Sequence, residues 1–253
     1  MESLLDRPLA LCTTNGYERS CGKINNYTNV LNVVRIIDLT LEISPRSIVF
    51  PGYPQPTFIK WSKFDVHGYD SELVFLSTHT GTHIDSPSHF SANGKSIDQI
   101  NADRFVCKDA LLLRIRKGPD ESITRQDILD AGLNIKRNDT LVIDTGWQTA
   151  YTNGDRKRDE EYVINNPGLG QDASQFLLEK KINAVAIDTP SIDVGENSVL
   201  TSHKQLLSND ILVIENLCNL ENIDIGRPFT FVFTPLKLKG ATGSPLRAIA
   251  ILE

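Results

Sequence analysis

Three of the chain's five histidines fall within eleven residues: His79-Thr80-Gly81-Thr82-His83-Ile84-Asp85-Ser86-Pro87-Ser88-His89. Imidazole and carboxylate groups are ligands of borderline divalent metals. His79 and His83 can converge on one ion if the backbone turns between them, and Gly81 has the freedom for that turn. Asp85 lies two residues further and can join the same face of the site. Pro87 fixes the chain and ends any local helix. His89 is either a further ligand or a general acid or base standing off the metal, since an ordinary imidazole, with a pKa of about 6.5, exchanges protons near neutrality. A polar loop with scattered histidines would explain one such residue more easily than it explains this group.

Two further residues could join the group from far away in the chain. His203 opens a helical segment after the polar loop Asp188-Thr189-Pro190-Ser191-Ile192-Asp193. Glu215 ends the apolar run Ile211 to Ile214, where a carboxylate is either a ligand or a buried charge that needs a partner. Asp85 and Glu215 could bridge two cations about 3.5–4 Å apart, although sequence spacing does not decide it. His67 sits in the loop Asp65-Val66-His67-Gly68-Tyr69-Asp70 and reads as an exposed side chain. Other chemistries find no support: there is no G-x-S-x-G elbow, no P-loop and no G-x-G-x-x-G. Gly240 to Pro245 reads as a tight turn between strands, with backbone N–H groups able to cradle an oxyanion as the alternative.

The elements that must position these residues are mostly short. Val33–Leu39, Thr57–Trp61, Glu72–Ser77, Asp109–Ile115, Thr140–Asp144, Ala184–Asp188, Ile211–Glu215, Phe229–Phe233 and Ala248–Leu252 read as strands. The run Leu73 to Leu76 is expected to be the rigid strand that delivers the histidines at its end. Helical spacing marks Gln171–Lys181, a polar cap precedes a short helix within Ser122–Leu129, and Ser202–Ser208 has room for one or two turns. Helices that are few and short among alternating strands predict an α/β fold with a mixed, barrel-like β-sheet. Residues 1–32 are polar and without period, and read as an N-terminal extension, loosely ordered or an oligomerisation arm. Residues 33–253 show no composition shift and read as one domain.

Composition bounds the partners. The chain has 253 residues, with Lys plus Arg at 26, Asp plus Glu at 32 and a formal charge of −6. That balance argues against a nucleic-acid binder and against a polybasic membrane-surface protein. No apolar run reaches the ~18 residues of a membrane span, and the N-terminus lacks the basic region of a signal peptide. Cys12, Cys21, Cys107 and Cys218 form no C-x-x-C pair and read as free thiols in a reducing compartment, hence cytoplasmic.

The segment His79 to His89 resembles the signature of the putative cyclase family, which includes bacterial kynurenine formamidases and isatin hydrolases. The resemblance continues through Asp188 to Asp193, His203 to Leu207, Ile214 to Leu217 and Pro235 to Arg247, and covers the chain from about Asp38 onward. It implies a mixed α/β fold around a twisted, barrel-like sheet flanked by short helices, and a homodimer or higher homo-oligomer. It also implies that His79, His83 and Asp85 bind one ion, that Asp85, His203 and Glu215 bind a second with Glu215 touching both, and that His89 carries the proton. Some isatin hydrolases hold one manganese and lack the Glu, so Glu215 looks more like the two-zinc arrangement. Where kynurenine formamidases tend to carry Trp-Pro-Gly-Asp, this chain has Phe50-Pro51-Gly52-Tyr53. Phe50 is then the ring that stacks on a substrate, and the smaller ring and absent Asp count against N-formylkynurenine.

The expectation is a metal-dependent hydrolase that cleaves an amide bond of a small molecule, an aryl formamide or a cyclic amide, by a metal-activated hydroxide, with His89 protonating the leaving nitrogen. The alternatives are a single-manganese isatin-type hydrolase and a non-catalytic metal-containing binding protein.

Overall fold

In this chain the short apolar runs form strands and the few amphipathic stretches become the helices that cover them. The structure, a computed structural model, describes residues 34–151, 161–195 and 199–253. The N-terminal extension 1–32, with Cys12 and Cys21, and the first part of the loop from 153 to 170 lie outside the described residues.

In chain order the elements are β1 (Arg35–Asp38), β2 (Thr57–Ser62), the one-turn helix α1 (Phe64–His67), β3 (Ser71–Phe75), β4 (His83–Asp85), β5 (Val106–Arg114) and β6 (Ser122–Ile123). They continue as α2 (Arg125–Asp130), β7 (Thr140–Asp144), α3 (Trp147–Tyr151), β8 (Gly168–Leu169), α4 (Gln171–Lys180), β9 (Ala184–Ile187), α5 (Thr201–Ser208), β10 (Leu212–Glu215), β11 (Phe229–Pro235) and β12 (Gly243–Leu252). The sheet runs β1-β12-β11-β5-β7-β9-β10-β4, and β4 pairs back onto β12. That pairing closes seven strands into a barrel and leaves β1 on its rim. Strands β5, β7, β9 and β10 are parallel, and the other contacts of the ring are antiparallel.

Burial explains why the middles of β7, β9 and β10 are unbroken apolar runs instead of alternating. Residues Leu141 to Ile143, Ala184 to Ile187 and Leu212 to Ile214 are all buried, because parallel strands here are covered on both faces. Leu112, Val142, Ala186 and Ile214 point into one cluster with Phe229, Phe231, Phe233, Ala248 and Ala250, which fills the barrel. Their neighbours Leu113, Ile143, Val185, Ile187 and Val213 point the other way. They pack with Ile128 of α2, Leu177 of α4 and Leu206 of α5. The helices therefore cover one side of the barrel wall. Helix α2 begins later than its polar lead-in: Ser122 and Ile123 pair with β8, and Thr124 closes a capping box with Asp127, which satisfies otherwise unpaired N–H groups of the first turn.

One expectation about delivery is overturned. The run Leu73 to Leu76 does not carry the histidines on a barrel strand. Its first three residues lie in β3, which among the described residues pairs only with β2 in a separate two-stranded hairpin, and Leu73, Val74 and Phe75 are exposed. His83 and Asp85 are placed instead by β4, three residues long and wholly buried, which is clamped between β10 and β12, and His79 and His89 lie in the segments before and after it. Short length hid this strand, since three residues show no period. Pro87 also differs in role: it opens a single 3₁₀ turn, Pro87–His89, instead of ending one. No helix among the described residues is long and apolar enough to cross a membrane.

Ile84 lies between His83 and Asp85, is 0% exposed and points into the barrel cluster. Ile84→Ala is expected to lower the unfolding free energy in urea by about 2–5 kcal/mol, the usual range for removing a buried Ile side chain; a loss well below that range would mean β4 is not held by its core-facing residue.

Candidate metal centre

The period of a strand selects which residues of β4 face the helices. Ile84 faces the barrel, so His83 and Asp85 face out on the helix-covered side. Register then supplies the third group. Glu215 of β10 lies directly opposite His83, and directly opposite residues of an antiparallel pair share a face. On the other flank of β4, Gly243 lies opposite Asp85. Helix α5 packs against β10 and brings in His203. His79 approaches from the turn before β4, where Gly81 adopts φ +61, a conformation glycine enters without a Cβ penalty.

The structure brings together His79, His83, Asp85, His203 and Glu215. Two sets of ligand atoms lie close enough to hold an ion: His79, His83 and Asp85, and Asp85, His203 and Glu215. Asp85 Oδ1 is 2.6 Å from His79 Nδ1 and 3.4 Å from His83 Nε2. Asp85 Oδ2 is 3.3 Å from His203 Nε2. Glu215 Oε2 is 3.4 Å from His83 Nε2, and its Oε1 is 3.0 Å from His203 Nε2. Asp85 and Glu215 are 1% and 4% exposed, so both carboxylates are almost wholly buried.

The buried carboxylates dominate the electrostatics. Burial pulls His83 down, but the hydrogen bond and charge of Asp85, with Glu215, outweigh it and raise this imidazole to about 9. His203 is likewise driven well above the ordinary imidazole range: burial opposes the shift, and Glu215, Asp193 and Asp85 prevail. Burial would raise Asp85, yet the surrounding imidazoles hold it well below the usual carboxylate range. The cluster thus draws positive charge to itself. Asp85 Oδ2 is buried without a hydrogen-bond partner. An unsatisfied carboxylate oxygen among imidazole nitrogens and a second carboxylate suits a divalent cation, and the mixed N and O donor set fits borderline metals such as zinc and manganese.

A second layer of contacts orients the imidazoles. The Gly81 carbonyl lies 2.9 Å from His83 Nδ1; a carbonyl only accepts, so Nδ1–H donates and the Nε2 lone pair faces the site. Asp193 Oδ2 lies 2.6 Å from His203 Nδ1 and also accepts from the His203 backbone N–H. His203 Nε2 is thereby turned toward Asp85 and Glu215. Thr242 Oγ1 is 2.9 Å from His79 Nε2. The Ile192 N–H donates to Glu215 Oε1 at 2.7 Å. Asp193 and Thr242 carry no assignment from sequence reasoning, although both lie in segments noted there. Their signal is a carboxylate in a polar loop and a hydroxyl beside a glycine, neither of which indicates a partner far along the chain. The Gly240–Pro245 segment is thus more than a turn, because Gly243 already belongs to β12. A Cβ on Gly243 would lie 2.6 Å from His79 Cε1, so this glycine leaves room for that ring.

His89 belongs to neither set of ligand atoms. Its ring stacks on His79, centroids 4.0 Å apart, and it lines a cavity of about 150 Å³ over the cluster. Burial lowers its pKa to about 4, with the neighbouring imidazoles working in the same direction and Asp85 against. His89 is therefore a neutral imidazole at neutral pH, poised to accept a proton before it can give one. Phe50 and Tyr53 line the same cavity. His67 is exposed and lies outside both ligand sets and the cavity lining.

The family profile described as Putative cyclase matches residues 37–194. A kynurenine formamidase of Bacillus cereus is 28% identical over 214 residues, which cover 84% of this chain and 95% of that protein. The solved structure of isatin hydrolase A from Labrenzia aggregata, bound to benzyl benzoate, is similar with a TM-score of 0.77 and 27% identity, covering 87% of this chain and 94% of that one. A potential metal-dependent hydrolase with cyclase activity superimposes with a TM-score of 0.69 and 25% identity, covering 86% of this chain and 98% of that one.

Loss of an outer carboxylate that orients a metal-binding imidazole typically weakens metal affinity by about 10–100-fold. Asp193→Asn is expected to do so here, read by equilibrium dialysis against zinc, with the far-ultraviolet circular dichroism unchanged. Wild-type affinity in that variant would show that His203 needs no such support.

Proposed function

The chain belongs to the Putative cyclase family, and from that premise we propose that it hydrolyses amide bonds of small molecules, an aryl formamide or a cyclic amide, in a metal-dependent reaction. The observation that carries this reading is the meeting of Asp85 and Glu215, buried side by side among His79, His83 and His203, under a cavity lined by rings. The kynurenine formamidase and isatin hydrolase relatives support the same reaction class.

We assign His79, His83 and Asp85 to one ion and Asp85, His203 and Glu215 to a second, with zinc as the expected metal and a single manganese as the alternative. When bound, such an ion would supply an acidic water, its pKa lowered toward about 7, and would polarise the substrate carbonyl. The protein's own part begins with Phe50, whose ring flanks the substrate, and with the apolar walls, which exclude bulk water. His89, neutral and facing the cavity, takes the proton released as water oxygen joins the carbonyl carbon. It returns that proton to the amide nitrogen as the C–N bond breaks. The products are a carboxylic acid and an amine, joined in one molecule when the amide is cyclic. The free thiols Cys107 and Cys218 support a reducing compartment, and we place the enzyme in the cytoplasm.

We further propose that residues 33–253 act as one hydrolase domain and that the chain works as a homodimer or a higher homo-oligomer. The hairpin β2–β3 supports this. Trp61, Phe64 and Val66 are 69%, 66% and 74% exposed, and Phe58, Ile59, Leu73, Val74 and Phe75 expose apolar side chains on both faces of the hairpin. So many exposed large apolar side chains on one element are unusual on a monomer and suit burial against a second copy.

Two variants separate the roles in the site. His83→Ala is expected to lose metal and activity together, whereas His89→Ala keeps its metal and loses about 10²–10⁴-fold in rate. Full turnover by a metal-free protein sinks the mechanism, and metal loss from His89→Ala makes His89 a ligand. For the assembly, Trp61→Glu combined with Val66→Glu is expected to shift the sedimenting species from oligomer to monomer; an unchanged sedimentation coefficient removes the hairpin from the interface.

A further inference from the structure

Residues Ser191, Ile192 and Asp193 touch the metal centre in two places. The Ile192 N–H donates to Glu215 Oε1 at 2.7 Å. The Asp193 carboxylate accepts from His203 Nδ1 at 2.6 Å, from the His203 N–H at 3.1 Å and from the Ser202 N–H at 2.7 Å. Glu215 and His203 belong to the same set of ligand atoms, with Asp85. His79 and His83 are supported elsewhere, by Thr242 and by the Gly81 carbonyl. Residues 191–193 lie between β9 and α5 and belong to no helix or strand, so something else must fix them.

All three of their carbonyls are taken up by one neighbouring segment. Asn166 Nδ2 donates to the Ser191 carbonyl at 3.0 Å and to the Asp193 carbonyl at 2.9 Å. Between them, the Leu169 N–H of β8 donates to the Ile192 carbonyl at 2.7 Å. The same Nδ2 lies 2.9 Å from the Pro167 carbonyl, so two N–H bonds serve three acceptors. Carbonyls only accept, which fixes the orientation of the amide. Asn166 is 0% exposed, and its Oδ1 has no hydrogen-bond partner among the described residues; the side chain acts through its donors. The Gly195 N–H returns a bond to the Asn166 carbonyl at 2.8 Å. Two glycines let the segments meet this closely: a Cβ on Gly168 would strike the Asp193 carbonyl carbon, and one on Gly195 would strike the Ile164 carbonyl oxygen.

We infer that Asn166 is a positioning residue for the ion held by Asp85, His203 and Glu215. By gripping the carbonyls on either side of Ile192, it sets the Ile192 N–H on Glu215 and the Asp193 carboxylate on His203. The inference rests on the metal-dependent reading above and goes beyond it: the set Asp85, His203 and Glu215 depends on Asn166, and the set His79, His83 and Asp85 does not. Without the amide, Ser191 and Asp193 lose their shared anchor, and both supports are free to shift.

The test uses full-length protein stripped of metal and dialysed against zinc. Asn166→Ala is expected to weaken one binding step by about 10–100-fold, the scale for losing a support of a metal ligand, and to leave any other step unchanged. Asn166→Ser, a smaller loss of packing, decides the matter if the alanine variant does not fold. Unchanged affinity overturns the inference, and so does equal weakening of two steps. Ile128→Ala is the control for stability alone, since it removes a buried side chain from α2 and is expected to lower the urea midpoint without changing zinc affinity. An equal loss of affinity there assigns the effect to general stability and overturns the positioning role. A second readout needs neither metal nor activity. The Nδ1–H proton resonance of His203, identified by its absence from His203→Gln, is expected to be sharp in the wild type and in Ile128→Ala, and broadened or shifted in the Asn166 variants. Failure of the wild type to bind zinc counts against the metal reading. This resonance then decides alone whether Asn166 positions His203: a change in the Asn166 variants sustains it, and an unchanged signal overturns it.

Discussion

Asp85 and Glu215 stand on the same face of adjacent strands, two pair positions apart, and both are almost wholly buried. Two negative charges in such a place need positive charge close by, and the arrangement of the molecule around them follows from that need. Three imidazoles point nitrogen atoms at them, from β4, from the turn before it and from α5. Each imidazole is held from behind by a different acceptor or hydroxyl: the Gly81 carbonyl, the Asp193 carboxylate and the Thr242 side chain. The oxygen of Asp85 that no hydrogen bond reaches is where the demand for a cation is plainest.

The barrel explains how a site with two buried carboxylates can be rigid. A strand of three residues has little stability of its own, and β4 is held by pairing on both edges, to β10 and to β12. Closure of the ring depends on this same strand, so the residues that carry the chemistry also join the two ends of the sheet. Its alternate residue, Ile84, is anchored in the barrel core. The outward residues have their backbone fixed by ladders and by core packing, and vary only in side-chain rotamer. The helices that cover this side of the wall exclude water and bring His203 to the face the strand period had selected.

The cavity above the cluster answers a different constraint. Its charged groups are gathered at the floor, and its sides are aliphatic and aromatic. Separation of this kind places strong electrostatics where bonds change and leaves recognition to shape and desolvation. The relatives include a kynurenine formamidase and an isatin hydrolase, so fold alone does not choose the substrate. The sides of the cavity, formed in part by Ile48 to Phe50 and by Leu200, belong to loops, which are the segments most free to differ between relatives.

Local chemistry in the sequence was enough to mark His79, His83, Asp85 and His89 as a group, because they lie within one short stretch whose glycine permits the turn. It was enough to find the buried parallel strands, whose unbroken apolar runs reflect coverage on both faces, and to expect a mixed, barrel-like sheet with few helices. Resemblance extended the group to His203 and Glu215, whose separation of more than a hundred residues from Asp85 holds no distance information. Tertiary structure alone decided the rest. Only strand register could set Glu215 opposite His83, since shifting β10 by one residue would turn that carboxylate into the barrel core. Only the fold could show that Leu73 to Leu76 belongs to an outlying hairpin, because an apolar run looks alike whether it meets its own core or another surface. Asp193 and Thr242 became visible as supports for the same reason: a hydrogen bond between residues distant in sequence depends on where the backbone puts them, and residue types do not encode that position one at a time.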